Sequence, residues 1–246
     1  MDEKKFLDSL VPEYITSDTS SQIRLMRDLS IRIFKPYIQR EGIALELGSE
    51  IGYMSEKIAE LICGIDIVDG SEEFLDKVKQ RNIMNAEYFC SLFEEYDPGV
   101  KYDYVFMSHV LEHLVDVRVI LSKVKNEFLH MGGYLFITVP NARALSRQLA
   151  RHMGFIDNLY DLTENDIRGG HRRVYDRITL NRDIENAGFE IVAQGGILFK
   201  PFADFQMEQL IDDKFLKEEH LEGLYKLGNE YPDMCADLYA ICRIKN

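Results

Sequence analysis

Three groups of residues in this chain could do chemistry. The first is the turn Glu46-Leu47-Gly48-Ser49-Glu50-Ile51-Gly52, which follows a short apolar run at 43–47 and precedes Met54, Ile58, Leu61 and Ile62 at helical spacing. Strand, glycine turn and helix open a nucleotide-type binding unit. Glycines let the backbone approach a ligand because no Cβ intervenes, and the helix start offers free N–H groups. A dinucleotide fingerprint needs Gly-x-Gly-x-x-Gly, but counted from Gly48 its second and third positions hold Glu50 and Tyr53. Glu46 and Glu50 would repel a pyrophosphate, so a cationic ligand suits this turn better.

The second group is His109 and His113, four apart with Glu112 between them. That spacing is also metal-ligand geometry on a helix, but no further ligands are evident nearby, and no metal is expected. The third is Arg168-Gly169-Gly170-His171-Arg172-Arg173-Val174-Tyr175. A charge run is usually a solvated face. The paired glycines favour the other reading, a turn whose backbone approaches a ligand.

Around these groups the elements alternate. The pattern predicts a short helix before Pro12, a loop at 16–21, and an amphipathic helix at 22–37 capped by Ser20 or Ser21. Strands are expected at 43–47, 63–68, 86–90, 101–107, 134–139, 189–199 (interrupted at Gly195-Gly196) and 236–244. Helices are expected after the glycine turn and at 72–80, 116–129, 177–187 and 218–227, with Met131-Gly132-Gly133 closing the 116–129 helix. Residues 142–175 read as an insertion.

With 246 residues, 46% of them hydrophobic, the chain can bury one sizeable core. A net charge of −13 argues against nucleic acid and anionic membranes as partners. No apolar run approaches a membrane span, and residues 1–5 begin no signal peptide. Cys63, Cys90, Cys235 and Cys242 show no C-x-x-C spacing and read as reduced thiols of a cytoplasmic protein.

Glu46-Leu47-Gly48-Ser49-Glu50-Ile51-Gly52 resembles motif I of class I S-adenosyl-L-methionine (SAM) dependent methyltransferases, (Asp/Glu)-x-Gly-x-Gly-x-Gly, with Glu50 in place of the middle glycine. Tyr102-Asp103-Tyr104-Val105, Leu111-Glu112-His113 and Val139-Pro140-Asn141 resemble segments of its small-molecule members. The resemblance implies an α/β, Rossmann-like, seven-stranded and mostly parallel sheet, with an antiparallel last strand and helices on both faces. A single domain over 1–246 is expected, with residues 1–40 as a helical lid and 142–175 in the acceptor site.

For the cofactor, the resemblance implies Glu46, Gly48, Ser49, Gly52, Ser71, Leu92, Phe93 and Ser108, and Asp69 on the ribose with Asp66 as the alternative. The aspartate usual in the adenine loop is missing unless Glu94 or Glu95 supplies it. His171 is the first choice of base, since imidazole titrates near working pH, and His109 is the second. His113 or Glu112 is then a structural polar partner, and a plain hydrogen-bonded histidine is the competing reading for each. Tyr14, Asn141, Arg172, Arg173, Tyr175 and Lys200 are expected to contact the substrate, although Tyr14 reads equally as a packing tyrosine. The partner expected is a small, anionic or sugar-like acceptor, methylated on oxygen ahead of nitrogen by a monomer or homodimer. An NAD-type oxidoreductase, a small-amine N-methyltransferase, a nucleic-acid methyltransferase and a non-catalytic binding protein are the competing classes.

Overall fold

The computed structural model describes residues 3–15 and 19–245; part of the loop expected at 16–21 lies outside them. Among the described residues, seven strands form one sheet: β1 (Ile43–Leu47), β2 (Gly64–Asp69), β3 (Ala86–Cys90), β4 (Tyr102–Ser108), β5 (Leu129–Pro140), β6 (Phe189–Ile197) and β7 (Asp237–Ile244). Their order is β3-β2-β1-β4-β5-β7-β6. β7 runs antiparallel to both β5 and β6, and the other pairings are parallel. This is the fold class that the resemblance implied. The helices are α1 (Glu3–Tyr14), α2 (Ser21–Phe34), α3 (Tyr53–Ala59), α4 (Glu72–Lys79), α5 (Val117–Lys123), α6 (Leu145–His152), α7 (Glu164–Arg168), α8 (Arg177–Asn186), α9 (Asp204–Asp212) and α10 (Glu218–Glu230). None is long and apolar enough to cross a membrane.

Period-two alternation in the strands sorts side chains onto two faces. Leu45, Leu47, Val105, Met107, Leu135 and Ile137 pack with α5 and α8 on one face. Ala44, Ile65, Ile67, Phe106 and Phe136 pack with Phe34 of α2, Ile58 of α3 and Val78 of α4 on the other. Both faces are buried, which is why the central strands read as continuous apolar runs.

Two boundaries differ from expectation. α5 ends at Lys123, a π-helical turn spans Val124–Phe128, and β5 begins at Leu129. The expected closing turn at Gly132-Gly133 therefore lies inside a strand. Leu129 pairs with Tyr102, and a bulge between Tyr102 and Tyr104 takes up the extra residues. A Cβ on Gly133 would stand 2.6 Å from the Asp103 carbonyl, so the glycine permits this close approach. Likewise Gly195 and Gly196 do not interrupt β6; their missing side chains make room for Tyr239 and Cys235.

The parallel strands end together. Leu47 lies opposite Val68 and Ser108 opposite Thr138, so the loops after β1, β2, β4 and β5 share one edge. Ligands bind at that edge of open α/β sheets. Gly52, at φ +85°, turns the chain from β1 into α3, and a Cβ there would meet Val78 at 2.8 Å. Gly52→Ala is expected to destabilise the protein by about 2–4 kcal/mol, backbone strain and overpacking together. Gly99→Ala, at φ +68° with open space around it, should cost about 1 kcal/mol. Urea denaturation checks both, and equal costs would show that packing at Gly52 contributes nothing.

Candidate active site

The loop after β1 takes its shape from three left-handed residues, Gly48 (φ +81°), Glu50 (φ +50°) and Gly52 (φ +85°). The two glycines serve the protein's own packing: a Cβ on Gly48 would meet Val110 at 2.9 Å, as one on Gly52 would meet Val78. Glu50 occupies a conformation that favours glycine and is held there by an ion pair with Arg27 of α2. Within this pair Glu50 Oε1 and Arg27 Nη1 are buried without hydrogen-bond partners.

Glu46, on β1, is 1% exposed, and its Oε2 has no hydrogen-bond partner. Burial pushes its carboxyl up to about 8, against the pull of the Ser55 hydroxyl; Asp69 adds to the rise. Asp69 ends β2 and is also buried. Its Oδ2 accepts from Ser49 N (2.9 Å) and Ser49 Oγ (3.2 Å), and its Oδ1 from Ser71 N (2.9 Å). Asp69 thus fastens the β1 and β2 loops together and keeps acceptor capacity on Oδ1. The alternative, Asp66, accepts from Tyr102 Oη at 2.5 Å and Tyr96 Oη at 3.3 Å, away from this edge. Ser71 caps α4 and donates to Asp8 of α1. Leu92 lies beside Gly70, and Phe93 beside Gly48. Ser108 Oγ, at the end of β4, is buried without a partner. Apolar walls around unpaired oxygens fit a cationic, partly aromatic ligand such as SAM better than a pyrophosphate.

Across the edge lies a second constellation. His109, at φ +56°, places Nε2 3.0 Å from Asp237 Oδ2 and Nδ1 3.5 Å from Glu112 Oε1. Burial opposes its charge, but Asp237 and Glu112 outweigh that and hold it up at about 9. Glu112 is 1% exposed, neither carboxylate oxygen is hydrogen bonded, and burial raises its carboxyl above the usual range. The His113 ring stands 4.8 Å from the His171 ring, and burial followed by His171 pushes His113 down to about 3. His171 Nδ1 is 3.0 Å from Asp166 Oδ1. Bonds from His171 and Thr163, with Arg147 nearby, hold the Asp166 carboxyl well below the usual range in spite of burial. Tyr14 donates to the Gly169 carbonyl (2.7 Å) and packs edge-on to His113.

The basic segment is tied into this wall by its own chain. Arg172 N donates to the Glu112 carbonyl (2.8 Å), and its guanidinium pairs with Glu3 of α1 at 2.7 Å. The Arg173 guanidinium bonds the carbonyls of Leu111, Leu114 and Val115. Gly169 and Gly170 receive Tyr14, Leu10 and Phe6 of α1. Tyr175 is buried and bonds Asp183, Asn141 clamps the carbonyls of Asp233 and Cys235, and Lys200 pairs with Asp204. The structure therefore brings Tyr14 and His171 together near His109, while Asn141, Arg173, Tyr175 and Lys200 are engaged with the fold.

Arg27, Asp166 and Asp237 did not stand out in the sequence. Glu50 at a glycine position was a signal for a compensating cation such as Arg27. Thr163 caps α7 in a capping box with Asp166, and the same carboxylate also orients His171.

Comparison with known proteins agrees with this geometry. Residues 19–194, most of the chain, match the family described as a methyltransferase domain. A ubiquinone biosynthesis O-methyltransferase of Bradyrhizobium sp. (strain ORS 278) is 27% identical over 165 residues, 65% of this chain and 63% of that protein. The alignment thus spans under two thirds of this curated relative. The N-methyltransferase NodS of Bradyrhizobium japonicum WM9, solved with S-adenosyl-L-homocysteine, superposes with a TM-score of 0.61 at 13% identity, covering 93% of this chain and 90% of NodS. Phosphoethanolamine N-methyltransferase 2 of Haemonchus contortus, solved with SAM, gives 0.59 at 18% identity, over 89% of this chain and 53% of that one. The motif loop, the strand order and the family match agree: the chain belongs to the methyltransferase-domain family, in its class I, SAM-dependent form.

Proposed function

We propose that this chain transfers a methyl group from SAM to an oxygen of a small, hydroxyl-bearing acceptor. The observation that carries the cofactor half is Glu46, a buried carboxylate with an unpaired oxygen at the carboxyl edge of the sheet. When bound, SAM supplies a sulfonium-activated methyl and an ammonium that an acidic loop can satisfy. Glu46 and Ser108 offer unpaired oxygens, Asp69 keeps a free acceptor site for a ribose hydroxyl, and Leu92 and Phe93 provide apolar surface for the adenine.

The acceptor half rests on Tyr14, His113 and His171, which converge beside Glu112. Asp166 fixes the His171 ring through Nδ1, so Nε2 can take the proton of an acceptor hydroxyl as its oxygen attacks. Positioning adds to this, since holding the reacting atoms in line lowers such barriers by roughly 7–11 kcal/mol. Arg172, Arg173 and Lys200 are paired within the protein, and the wall itself carries Glu112, Asp166 and Asp237. A neutral, sugar-like or otherwise hydroxylated acceptor suits that wall better than an anion. The relative named for O-methylation in ubiquinone biosynthesis agrees with oxygen as the acceptor atom. The acidic wall also suits a small amine, and N-methylation is the second reading. Glu50 in place of a motif glycine would favour a non-catalytic binding protein, and its Arg27 partner weakens that reading.

Calorimetric titration with SAM tests the cofactor half. Glu46, with its carboxyl at about 8, is mostly protonated at neutral pH, and a bound ammonium favours its ionised form. Binding then releases a proton, and affinity rises with pH between about 6 and 8, by up to roughly tenfold per unit. Above about 8 Glu46 is already ionised in the free protein, no proton is released and the gain stops. Glu46→Gln should abolish the release. Identical heats in buffers of different ionisation enthalpy would contradict the assignment. Asp69→Ala should weaken SAM at least tenfold; an unchanged affinity removes Asp69 from the site. His171→Ala should lower turnover by about 10²–10⁴-fold at saturating acceptor, and full turnover would end its role as base.

A further inference from the structure

We propose that Glu112, His113 and His171 form a binding site for one divalent first-row transition ion, with Zn²⁺ as its representative, on the acceptor side of the cleft. Each can offer one ligand atom, and these atoms lie within 4.8 Å of one another. Ligands at about 2.0–2.2 Å from a shared ion stand roughly 3–4 Å apart, so small side-chain rotations close the set. Two imidazoles and one carboxylate suit Zn²⁺, Mn²⁺ or Fe²⁺ better than Mg²⁺ or Ca²⁺, which prefer oxygen alone.

Two independent observations point to a ligand here. Glu112 is 1% exposed with neither oxygen hydrogen bonded and His109 Nδ1 no nearer than 3.5 Å to Oε1, an expensive arrangement for a buried carboxylate. In addition, His171 already has the outer contact typical of metal-bound histidine, with Nδ1 on a carboxylate. Asp166, the orienting group, is itself fixed by Thr163 and Arg147, and with Nδ1 so engaged His171 can give Nε2 to an ion.

Three protein ligands leave a position open, as in catalytic rather than structural sites. An acceptor oxygen would occupy it. The ion would lower the pKa of that hydroxyl, its proton would pass to solvent, and an oxygen lone pair would form the bond to the methyl carbon as the carbon–sulfur bond of SAM breaks, its electron pair goes to sulfur and S-adenosyl-L-homocysteine leaves. His171 then acts as a ligand, and the ion takes over acidification of the acceptor. The inference rests on the methyl-transfer reading for what the ion does, but not for whether it binds.

The test uses protein stripped with a chelator and titrated with Zn²⁺, then with Co²⁺ for its visible bands. One equivalent should bind with micromolar or tighter affinity in the absence of SAM. Glu112→Gln and His171→Gln should each weaken binding at least tenfold, and Asp166→Asn by about 10–100-fold through the orienting contact. His152→Gln, on exposed α6, should leave binding unchanged. X-ray absorption of the Zn²⁺-loaded wild-type protein requires no variant to fold and should show two imidazoles and oxygen, without sulfur. The proposal fails if folded, SAM-binding protein takes up no ion, if binding survives all three substitutions, or if the shell contains sulfur. Ion binding by a protein that ignores SAM would instead overturn the methyl-transfer reading and leave the ion site standing.

Discussion

Buried carboxyl groups are the constraint on which the loops at the carboxyl edge of the sheet depend. Glu46, Asp69 and Glu112 are each at most 6% exposed at the carboxyl edge of the sheet. A carboxylate out of water needs donors, a cation or a proton. Asp69 is satisfied by three donors from two loops, and in being satisfied it sets the distance between those loops. Glu46 keeps one oxygen unpaired and Glu112 keeps two. The difference separates a carboxylate that builds the site from carboxylates that await something in it.

The same logic explains the departure from the family motif. At a left-handed position Glu50 costs about 1–2 kcal/mol relative to glycine. Its ion pair with Arg27 joins α2 to the loop and keeps the loop path. α1 adds a second fastening through Asp8 on Ser71, Tyr14 on Gly169 and Glu3 on Arg172. The N-terminal helices are therefore fastened to the loops after β1 and β2 and to the basic segment. That segment's arginines bind backbone carbonyls and an α1 carboxylate, which is how two imidazoles from distant parts of the chain come to stand edge to face.

The strands were legible because both faces of a parallel sheet are buried, which leaves apolar runs at regular intervals; their order came only with the pairing in the structure. The motif loop was legible because left-handed backbone demands glycine at Gly48 and Gly52. The beginning of β5 was not. Val124–Phe128 has the apolar spacing of a helix, and only pairing of Leu129 with Tyr102 ends it there. The roles of the charged residues were also hidden. Arg173 and Lys200 read as ligand anchors from their type alone, but their partners are a loop's carbonyls and Asp204.

By itself the sequence carried the apolar periodicity of the strands and the glycine spacing of the motif loop, and its resemblance to class I methyltransferases implied the fold class and Asp69, with Asp66 as the alternative. Only the tertiary structure decided that His171 meets His113 and Glu112, that Asp166 aims it and that Arg27 answers Glu50. The reason is physical. Those contacts join residues far apart in the chain, and whether a charged or imidazole group is spent on the fold or left for chemistry depends on which partners folding brings within hydrogen-bond reach.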